Sequence, residues 1–349
     1  MTGDPVPVEA LDAFCRAVLE AAGADEATAR DCTASMLHGS LHGVDSHGVR
    51  LLGHYARALR GGRLNGRPAL RFERTRAGTG MLAADDAQGA RAAYAAMDHA
   101  CDLAAEAGIG AVGITGSSHF GPAGAYAMRA AGRGMLGLAT CNSDAIVRLH
   151  DGARPFHGTN PLAFACPTGG DPWLLDMATS ALPWNRVLLY RSDGTTLPAG
   201  VASDDAGRDV ANPQAATMLA PLGGGFGFKG AGLAGLAEIL SAVLPGAPLS
   251  PEVPPMGGPN LATPRRLGAF VLALDPGAFA GAEAVRAGIL RYLDLLRVSP
   301  ARDGARVLAP GDREWATARE RRARGIPLDP VTARDFDDLA RDFRVTPLR

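Results

Sequence analysis

Residues 43–50, GVDSHGVR, bring a hydroxyl, an imidazole and a guanidinium close together in the chain. Asp45 or Ser46 is a natural N-cap for a helix at the start of the apolar-periodic segment that follows. In such a helix His47 and Arg50 are i,i+3 neighbours, and Ser46 and Arg50 are i,i+4 neighbours, so all three share one face. An imidazole beside a planar cation suits reduction of a 2-oxo acid, because the cation holds the carboxylate and the imidazole supplies a proton to the new alkoxide.

A second candidate, SSHFG at residues 117–121, follows an apolar run that predicts a buried strand at 111–115. Ligands collect where strands end in α/β arrangements. A helix N-terminus disfavours the cationic form of a histidine, which suits proton exchange near neutral pH. His119 is therefore a second candidate acid or base. A half-buried histidine that only packs on the sheet explains the same pattern, and spacing does not separate the two.

Four further segments carry small, polar or charged residues at predicted turns and strand ends. The GTNP sequence at 158–161 suits turn formation as well as it suits ligand contact. The DMATS sequence at 176–180 ends a predicted strand, where hydroxyl residues either line a cofactor or cap the next helix. Lys229 lies in a glycine-rich loop that permits close approach of an extended ligand. The PGD turn at 310–312 offers free backbone N–H groups to an anion.

Two glycine-rich runs mimic nucleotide-binding motifs without their structural context. Residues 108–113, GIGAVG, match the dinucleotide fingerprint, which needs a strand before it and a helix after it. Here a predicted helix ends near residue 107 and a strand follows, so we interpret the glycines as a helix C-cap and a turn. Residues 223–230 lack the Walker A order, because Phe228 precedes the lysine and Gly230 replaces the magnesium-binding Ser or Thr.

Hydrophobic periodicity predicts the elements that position these segments. Helices are predicted at 8–22, 26–41, 49–60, 90–107, 123–133, 282–296, 313–324 and 332–343. Strands are predicted at 81–84, 111–115, 136–141, 162–166, 173–177, 187–190 and 267–274. Residues 230–244 are apolar on nearly every face, which predicts a deeply buried helix. Residues 245–264 are proline-rich and predict a long irregular connection.

Composition restricts the class of protein. The 349 residues are 47% hydrophobic and 20% charged with a net charge of −1, which indicates a globular enzyme rather than a nucleic-acid or membrane partner. No apolar run approaches the roughly 20 residues that span a bilayer, and we expect no secretory signal. Five scattered cysteines without a C-x-x-C pair predict buried thiols in a reduced, cytoplasmic protein.

The order of the motifs carries more information than any one of them. GVDSHG, SSHFG, GTNP, DMATS, KGAGL at 229–233 and PGD together resemble the malate/L-lactate dehydrogenase family of NAD(P)-dependent oxidoreductases. The resemblance covers residues 8–345 and implies an α+β fold, with a mostly antiparallel or mixed, non-Rossmann sheet in the cofactor domain. It also implies a helical domain from both termini and a homodimer with the active site near the interface. We expect residues 1–72 with 313–349 to form the helical domain and 73–312 the sheet domain.

The resemblance implies roles for single residues. The positions of His47 and His119 are each assigned the acid/base role in different members, and Arg50 matches the position that holds the substrate carboxylate. Ser46 or Asp45 would orient His47. The residues that match segments lining the cofactor, NAD or NADP, are Phe120, Gly121, Asn160, Asp176, Met177, Ala178, Thr179, Ser180, Lys229, Gly230, Pro310, Gly311 and Asp312.

Two departures leave the cofactor and the substrate open. Many members have a small-residue run ending Gly-Lys after DMATSA, whereas this chain has LPWNR at 182–186. An arginine there either grips a 2′-phosphate or faces solvent, so the choice between NAD and NADP stays open. Residues 144–151 also differ from the small and proline-rich sequences common in the family, which leaves the substrate open.

The sequence thus predicts hydride transfer to C2 of a small 2-oxo acid, or from the 2-hydroxy acid in reverse. Reduction of a cyclic imino acid, such as piperideine- or pyrroline-2-carboxylate, is the alternative. A zinc hydrolase using the i,i+4 pair His38 and His42 is disfavoured, because no H-E-x-x-H motif and no third ligand are evident, and no metal site is expected. A catalytically silent binding member of the family is disfavoured by the presence of both histidines and Arg50.

Overall fold

The computed structural model describes residues 5–348 and contains ten α-helices and eleven β-strands in that range. The helices are α1 Val8–Ala21, α2 Glu26–Leu41, α3 Leu52–Arg60, α4 Gly89–Ala107, α5 Gly124–Gly132, α6 Trp184–Asp193, α7 Phe228–Glu238, α8 Ala282–Arg297, α9 Asp312–Arg324 and α10 Pro330–Phe343. The strands are β1 Arg71–Arg76, β2 Thr79–Ala83, β3 Ile109–Ser117, β4 Leu136–Cys141, β5 Val147–Arg148, β6 Pro155–His157, β7 Leu162–Cys166, β8 Trp173–Met177, β9 Ala202–Ser203, β10 Met218–Leu219 and β11 Leu267–Leu274.

A seven-stranded mixed sheet forms the centre of the molecule, in the order β1-β2-β3-β11-β4-β7-β8. β2 and β3 run parallel, and every other neighbouring pair in this sheet is antiparallel. Helices α4 and α5 contact this sheet, and a π-helical turn, Ile239–Val243, also contacts β11. β11 is an almost continuous buried apolar run, as expected for a strand in the middle of a covered sheet. The predicted α+β class with a mixed sheet is confirmed.

The order of elements around the false dinucleotide motif is the predicted one. Helix α4 ends at Ala107, Gly108 adopts a left-handed φ of 81°, and β3 begins at Ile109. A Cβ on Gly110 would collide with the backbone of Ala100. These glycines therefore close a helix and let β3 approach α4, and they open no helix that would hold a pyrophosphate.

A second apolar cluster joins the two ends of the chain. Helices α1, α2 and α3 pack with α10, and the rings of Phe14 and Phe336 lie 5.1 Å apart. Val6 and Ile326 form an antiparallel bridge beneath them. Helix α9 packs on the sheet core instead, through Trp315. The boundaries at residues 72 and 312 stay a prediction.

Residues 187–190 are helical, so the predicted strand is wrong. Helix α6 begins directly after Pro183 and buries Val187 in a small core beside the four-stranded sheet β6-β5-β10-β9. Leu188 and Leu189 remain exposed. An apolar run of four residues fits either type of element, and here the proline at the N-cap and the single buried side chain favour the helix.

Helix α7 and the following π-helical turn form the predicted helix, but they are not deeply buried in the subunit. Ala234 and Ala237 face the interior, whereas Leu236, Ile239 and Leu244 are 47%, 57% and 61% exposed. The prediction of burial is therefore wrong for a single chain, because only the side carrying small residues meets the protein. None of the helices between residues 5 and 348 is both long and apolar enough to cross a membrane.

Candidate active site

A cavity of about 580 Å³ lies where the amino-terminal helices meet one end of the central sheet. Its polar walls carry three histidines and two aspartates, which are His47, His54, His119, Asp144 and Asp176. Most of the remaining wall is apolar or backbone. This combination of titratable groups and apolar surface in one concave site marks it as the candidate active site.

The turn that carries His47 is not the helix start that the spacing predicts. Asp45–His47 forms one 3₁₀ turn, Gly48 is extended with φ −92° and ψ −154°, and a second 3₁₀ turn precedes α3. A Cβ on Gly48 would collide with the hydroxyl of Ser40, which accepts a hydrogen bond from the Val49 amide at 2.9 Å. The N-cap prediction is therefore wrong, because close packing on α2 bends the chain at Gly48 and breaks the expected single face.

Ser46 is the residue that contacts the His47 ring. The Ser46 hydroxyl lies 2.9 Å from Nδ1 of His47. Asp45 points away and pairs with Arg321 at 2.5 Å. Of the two expected orienting residues, the structure therefore brings Ser46 and not Asp45 to the imidazole.

His119 follows β3 and enters the same cavity from the opposite wall. Its Nδ1 atom lies 2.7 Å from the hydroxyl of Tyr55 in α3. The ring stacks on His47 with a centroid separation of 5.8 Å and an interplanar angle of 18°. Among residues 5–348 no group hydrogen-bonds to Nε2 of either ring, so both Nε2 atoms are available to a ligand.

The environment keeps these imidazoles neutral. Burial lowers the pKa of His47. Burial and the nearby His47, Arg265 and His54 lower the pKa of His119 well below its usual value. The pKa of His54 falls to about 4 because of burial and the neighbouring arginines. At neutral pH the three rings therefore offer hydrogen bonds rather than a permanent positive charge.

Asp176 closes the cavity at the end of β8, with Met177 and Ala178 beside it. Its carboxylate accepts a hydrogen bond from the Gly124 amide, the first residue of α5, at 2.9 Å. Burial raises the pKa of Asp176 to about 6, although the Gly124 hydrogen bond acts in the opposite direction. Phe120 and Gly121 also line this wall, so five of the expected cofactor residues lie together.

Arg50 is placed outside the cavity. Its side chain is 48% exposed, and its guanidinium lies 3.9 Å from Asp329. The cavity walls in the described part of the chain contain no arginine or lysine. The nearby Arg265 is buried and engaged with the Asp144 carboxylate. The bend at Gly48 explains why Arg50 does not share a face with His47.

Three expected cofactor residues are buried behind the wall. Asn160 is fully buried, and its amide donates to Glu238 at 2.7 Å. The Thr179 hydroxyl donates to the Thr159 carbonyl at 3.0 Å, and Ser180 bonds to backbone two residues ahead. These side chains hold the turn at 158–161 against the end of β8, and their contact with a cofactor stays a prediction.

Lys229 and Gly230 also lie outside the cavity. The Lys229 ammonium is 5.5 Å from the centre of the Phe226 ring at the surface. Gly230 is buried, and a Cβ there would collide with the backbone of Leu222. Close helix packing accounts for the glycine, and a cofactor role for either residue is untested.

The turn at 310–312 lies at the far end of β8 from Asp176. The Pro310 carbonyl accepts a weak hydrogen bond from Leu174, and Gly311 is the left-handed N-cap of α9. Asp312 pairs with Arg297 at 2.6 Å. The structure thus joins this turn to the sheet and to α8 but not to the cavity, and its predicted cofactor contact is untested.

His54 is a wall residue that the sequence analysis missed, whereas Trp184 and Asn185 belong to the LPWNR segment that it singled out. A signal for the first existed, because His47, Leu51 and His54 are spaced i, i+4 and i+7. The Asn185 amide donates to the Ser46 carbonyl at 3.3 Å, which ties α6 to the histidine turn. No local pattern reports this contact, because the segment was expected to be a loop followed by a strand.

The zinc alternative finds no ligand set. The rings of His38 and His42 stack 4.1 Å apart, Nδ1 of His42 bonds to the His38 carbonyl, and the edge of Trp315 packs on His42. No group of three His, Cys, Asp or Glu side chains suitable for a metal occurs between residues 5 and 348. These two histidines pack α2 against α9.

Relatives with described activities match most of the chain. A malate dehydrogenase from Pyrococcus abyssi is 32% identical over 345 residues, covering 96% of this chain and 94% of the relative. An NAD⁺-dependent ureidoglycolate dehydrogenase from Escherichia coli K12 is 33% identical, covering 84% and 83%. An NADP⁺-dependent (2R)-3-sulfolactate dehydrogenase from Chromohalobacter salexigens is 32% identical, covering 87% and 89%.

Solved structures share the fold. A sulfolactate dehydrogenase from Methanocaldococcus jannaschii superposes with a TM-score of 0.91 at 26% identity, covering 99% of this chain and 98% of that one. A Δ1-piperideine-2-carboxylate reductase from Pseudomonas syringae pv. tomato gives 0.85 at 28% identity, covering 97% and 100%. A sequence model of malate/L-lactate dehydrogenases matches residues 6–337. The chain therefore belongs to the malate/L-lactate dehydrogenase family and is an NAD(P)-dependent dehydrogenase.

Proposed function

We propose that this dehydrogenase interconverts a small 2-oxo acid and its 2-hydroxy acid in the cavity between His47 and His119. One observation carries the proposal: two imidazoles from distant parts of the chain present free Nε2 atoms to the same apolar-walled site. A carbonyl oxygen between them would meet two groups able to donate a hydrogen bond or a proton. General acid–base assistance of this kind is typically worth about 10²–10⁴ in rate.

The walls fit a nicotinamide ring. Apolar surface beside the imidazoles comes from Phe120, Pro122 and Met177. The backbone at 176–178 also lines the cavity and could contact the carboxamide of the ring. A bound nicotinamide would supply or accept the hydride. The residues of this chain would hold the ring against C2 of the substrate, exclude water and manage the proton on the reacting oxygen.

Arg50 remains our proposed partner for the substrate carboxylate. Its 3.9 Å separation from Asp329 is long for an ion pair, and both side chains are nearly half exposed, so the pair is weak. A guanidinium held so loosely is free to turn toward an anion bound at the cavity mouth, one turn of chain from His47. A bidentate contact to a carboxylate would be stronger than the present one.

Reduction of a cyclic imino acid is a second candidate. The apolar share of the wall, which includes Leu51, Ile146 and Trp184, suits the methylene groups of a ring as well as a short acyl chain. The structural similarity to a Δ1-piperideine-2-carboxylate reductase supports the same candidate. The proton would then pass to nitrogen rather than to oxygen, with the same histidines in reach.

We further infer a homodimer in the cytoplasm, with a small carboxylate as substrate and no nucleic-acid or membrane partner. The exposed apolar face of α7 and the π-helical turn is the surface that a second copy would cover. All five cysteines are buried and unpaired, which suits a reducing compartment.

A substrate panel tests the proposal. NADH and NADPH oxidation would be followed with pyruvate, oxaloacetate, phenylpyruvate, sulfopyruvate and piperideine-2-carboxylate at several pH values. Turnover of one or more 2-oxo acids is expected, with loss of that turnover in a His47→Gln, His119→Gln double variant. Turnover of the imine alone would select the second candidate, and binding of cofactor without any turnover would contradict both.

A further inference from the structure

The His119 ring contacts the buried hydroxyl of Tyr55. Tyr55 is 2% exposed, and its oxygen lies 2.7 Å from Nδ1 of His119. A buried O–H group without an acceptor destabilises the folded protein. The direction of this hydrogen bond therefore depends on what else surrounds the Tyr55 oxygen.

Nδ1 of His119 is the hydrogen-bond partner that the structure gives the Tyr55 hydroxyl in the described part of the chain. A phenol proton aimed anywhere else would stay buried without an acceptor, so the hydroxyl donates to Nδ1. The neighbouring Gln88 is engaged elsewhere, because its side-chain oxygen accepts from the Ala90 amide at 2.7 Å and its NH₂ group lies 3.5 Å from the His119 carbonyl.

The partner of His47 imposes no such direction. The Ser46 hydroxyl, 2.9 Å from Nδ1, is free to rotate. It donates to Nδ1 of a neutral ring and accepts from N–H of an imidazolium, so it supports both protonation states. The two stacked histidines therefore differ: Ser46 allows His47 to be neutral or protonated, whereas Tyr55 favours one neutral tautomer of His119.

We propose that Tyr55 is a positioning residue that locks His119 in the neutral tautomer with its proton on Nε2. His119 then donates a hydrogen bond to the reacting oxygen without changing its protonation state, and His47 is the group that exchanges the proton. The division of roles rests on the proposed function, whereas the tautomer assignment does not.

The charges around His119 agree with this assignment. The groups facing it are His47 from the 3₁₀ turn, His54 and Tyr55 from α3, and Arg265 from the segment before β11. Burial and these neighbours hold the pKa of His119 well below its usual value. Burial also raises the pKa of Tyr55 well above its usual value, so Tyr55 stays a phenol that donates.

The reduction step balances with these roles. The C2–O π bond breaks, and a C2–H bond forms with the hydride that a reduced nicotinamide supplies. His47, neutral at rest, takes up a proton from solvent, and the O–H bond forms with that proton from Nε2, which returns His47 to its neutral form. The hydrogen bond from His119 stabilises the developing negative charge on oxygen and is retained in the product.

Nitrogen-15 NMR of histidine-labelled holoenzyme tests the tautomer directly. Long-range ¹H–¹⁵N correlations distinguish a protonated Nε2 from a protonated Nδ1, and a His119→Gln variant assigns the signals. We expect His119 to show N–H at Nε2 and to be neutral at neutral pH. A protonated Nδ1 in the wild-type protein would overturn the proposal.

Two variants separate positioning from packing. Tyr55→Phe removes the donor to Nδ1 and should let the neutral His119 ring populate the Nδ1–H tautomer as well, with kcat reduced about 10-fold and KM little changed. Tyr94→Phe removes a phenol hydroxyl from the same core without approaching His119 and is the matched control.

The measurement needs no substrate, so it decides the tautomer even if no acid in the panel is turned over. If Tyr55→Phe folds but leaves the His119 signals as in the Tyr94→Phe control, Tyr55 does not lock the tautomer of His119. If the lock is observed but the His47→Gln variant retains wild-type kcat, the proposed division of roles is wrong.

Discussion

The rings of His47 and His119 stack 5.8 Å apart and are inclined by only 18°. Each ring is held through Nδ1 by a hydroxyl, Ser46 in one case and Tyr55 in the other. Both Nε2 atoms therefore address one region of the cavity. This arrangement explains how two short motifs from different parts of the chain act on the same reacting atom.

Replacing either histidine with glutamine should lower kcat by about 10²–10⁴, because a positioned donor is lost from the reacting oxygen. Cofactor affinity, measured by NAD(P)H fluorescence, should change little. His99→Gln is the control, since His99 stacks on Phe72 away from the cavity. Wild-type turnover in both variants would show that neither ring takes part.

Arg50→Ala should raise KM for a carboxylate substrate by about 10- to 100-fold, the typical worth of a hydrogen bond to a charged group. Asp329→Asn should leave KM unchanged or lower it, because it removes the charge that holds Arg50 while keeping an acceptor for the α10 N-cap. Arg16→Ala, in the same helical cluster, is the control. Steady-state kinetics on the preferred acid give both values, and an unchanged KM in Arg50→Ala would remove Arg50 from substrate binding.

Asp176 should make the protein less stable as pH rises. Burial raises the pKa of this carboxyl to about 6 in the folded state. The folded protein thus holds the proton more tightly than the unfolded chain, and stability falls between about pH 4 and 7 as the buried group ionises.

The substitution Asp176→Asn should therefore increase the free energy of unfolding more at pH 8 than at pH 4. The difference is at most about 3 kcal/mol, since one pKa unit corresponds to about 1.4 kcal/mol and partial exposure reduces it. Denaturant unfolding at the two pH values measures it, with the exposed Asp193→Asn as control. An equal effect at both pH values would mean that Asp176 titrates normally.

Ile239→Glu should convert the proposed homodimer to a monomer. Ile239 is 57% exposed on the apolar face of the π-helical turn, and a buried unpaired carboxylate at an interface is strongly unfavourable. Light scattering after gel filtration reports the mass. Val331→Glu, equally exposed on α10, should remain dimeric, and loss of the dimer in this control but not in Ile239→Glu would place the interface elsewhere.

Glu238→Ala should reduce the free energy of unfolding by about 2–3 kcal/mol. This buried carboxylate accepts hydrogen bonds from the Asn160 amide and from the backbone and hydroxyl of Ser250, and these donors would be left without a partner. Glu252→Ala, which removes only an exposed cap to Leu249, should cost less than about 1 kcal/mol. Chemical denaturation of the two variants provides the comparison.

Local pattern was sufficient for much of the fold. The predicted bounds of β4, β7, β8 and β11 agree with the structure because each is a short apolar run between turn residues. The pattern failed for α6 and for the burial of α7. A short apolar run fits either a strand or a helix. A helix that is apolar on every face indicates burial on every face, but a single subunit covers only one side of α7.

The sequence by itself determined which chemical groups exist, the order of the motifs and hence the family, because these properties reside in residue types and local spacing. Only the tertiary structure decided that Tyr55 meets His119 across 64 positions of chain. It also decided that Gly48 turns Arg50 away from His47. Such contacts depend on how distant elements pack, and packing is a property of the whole core rather than of any segment.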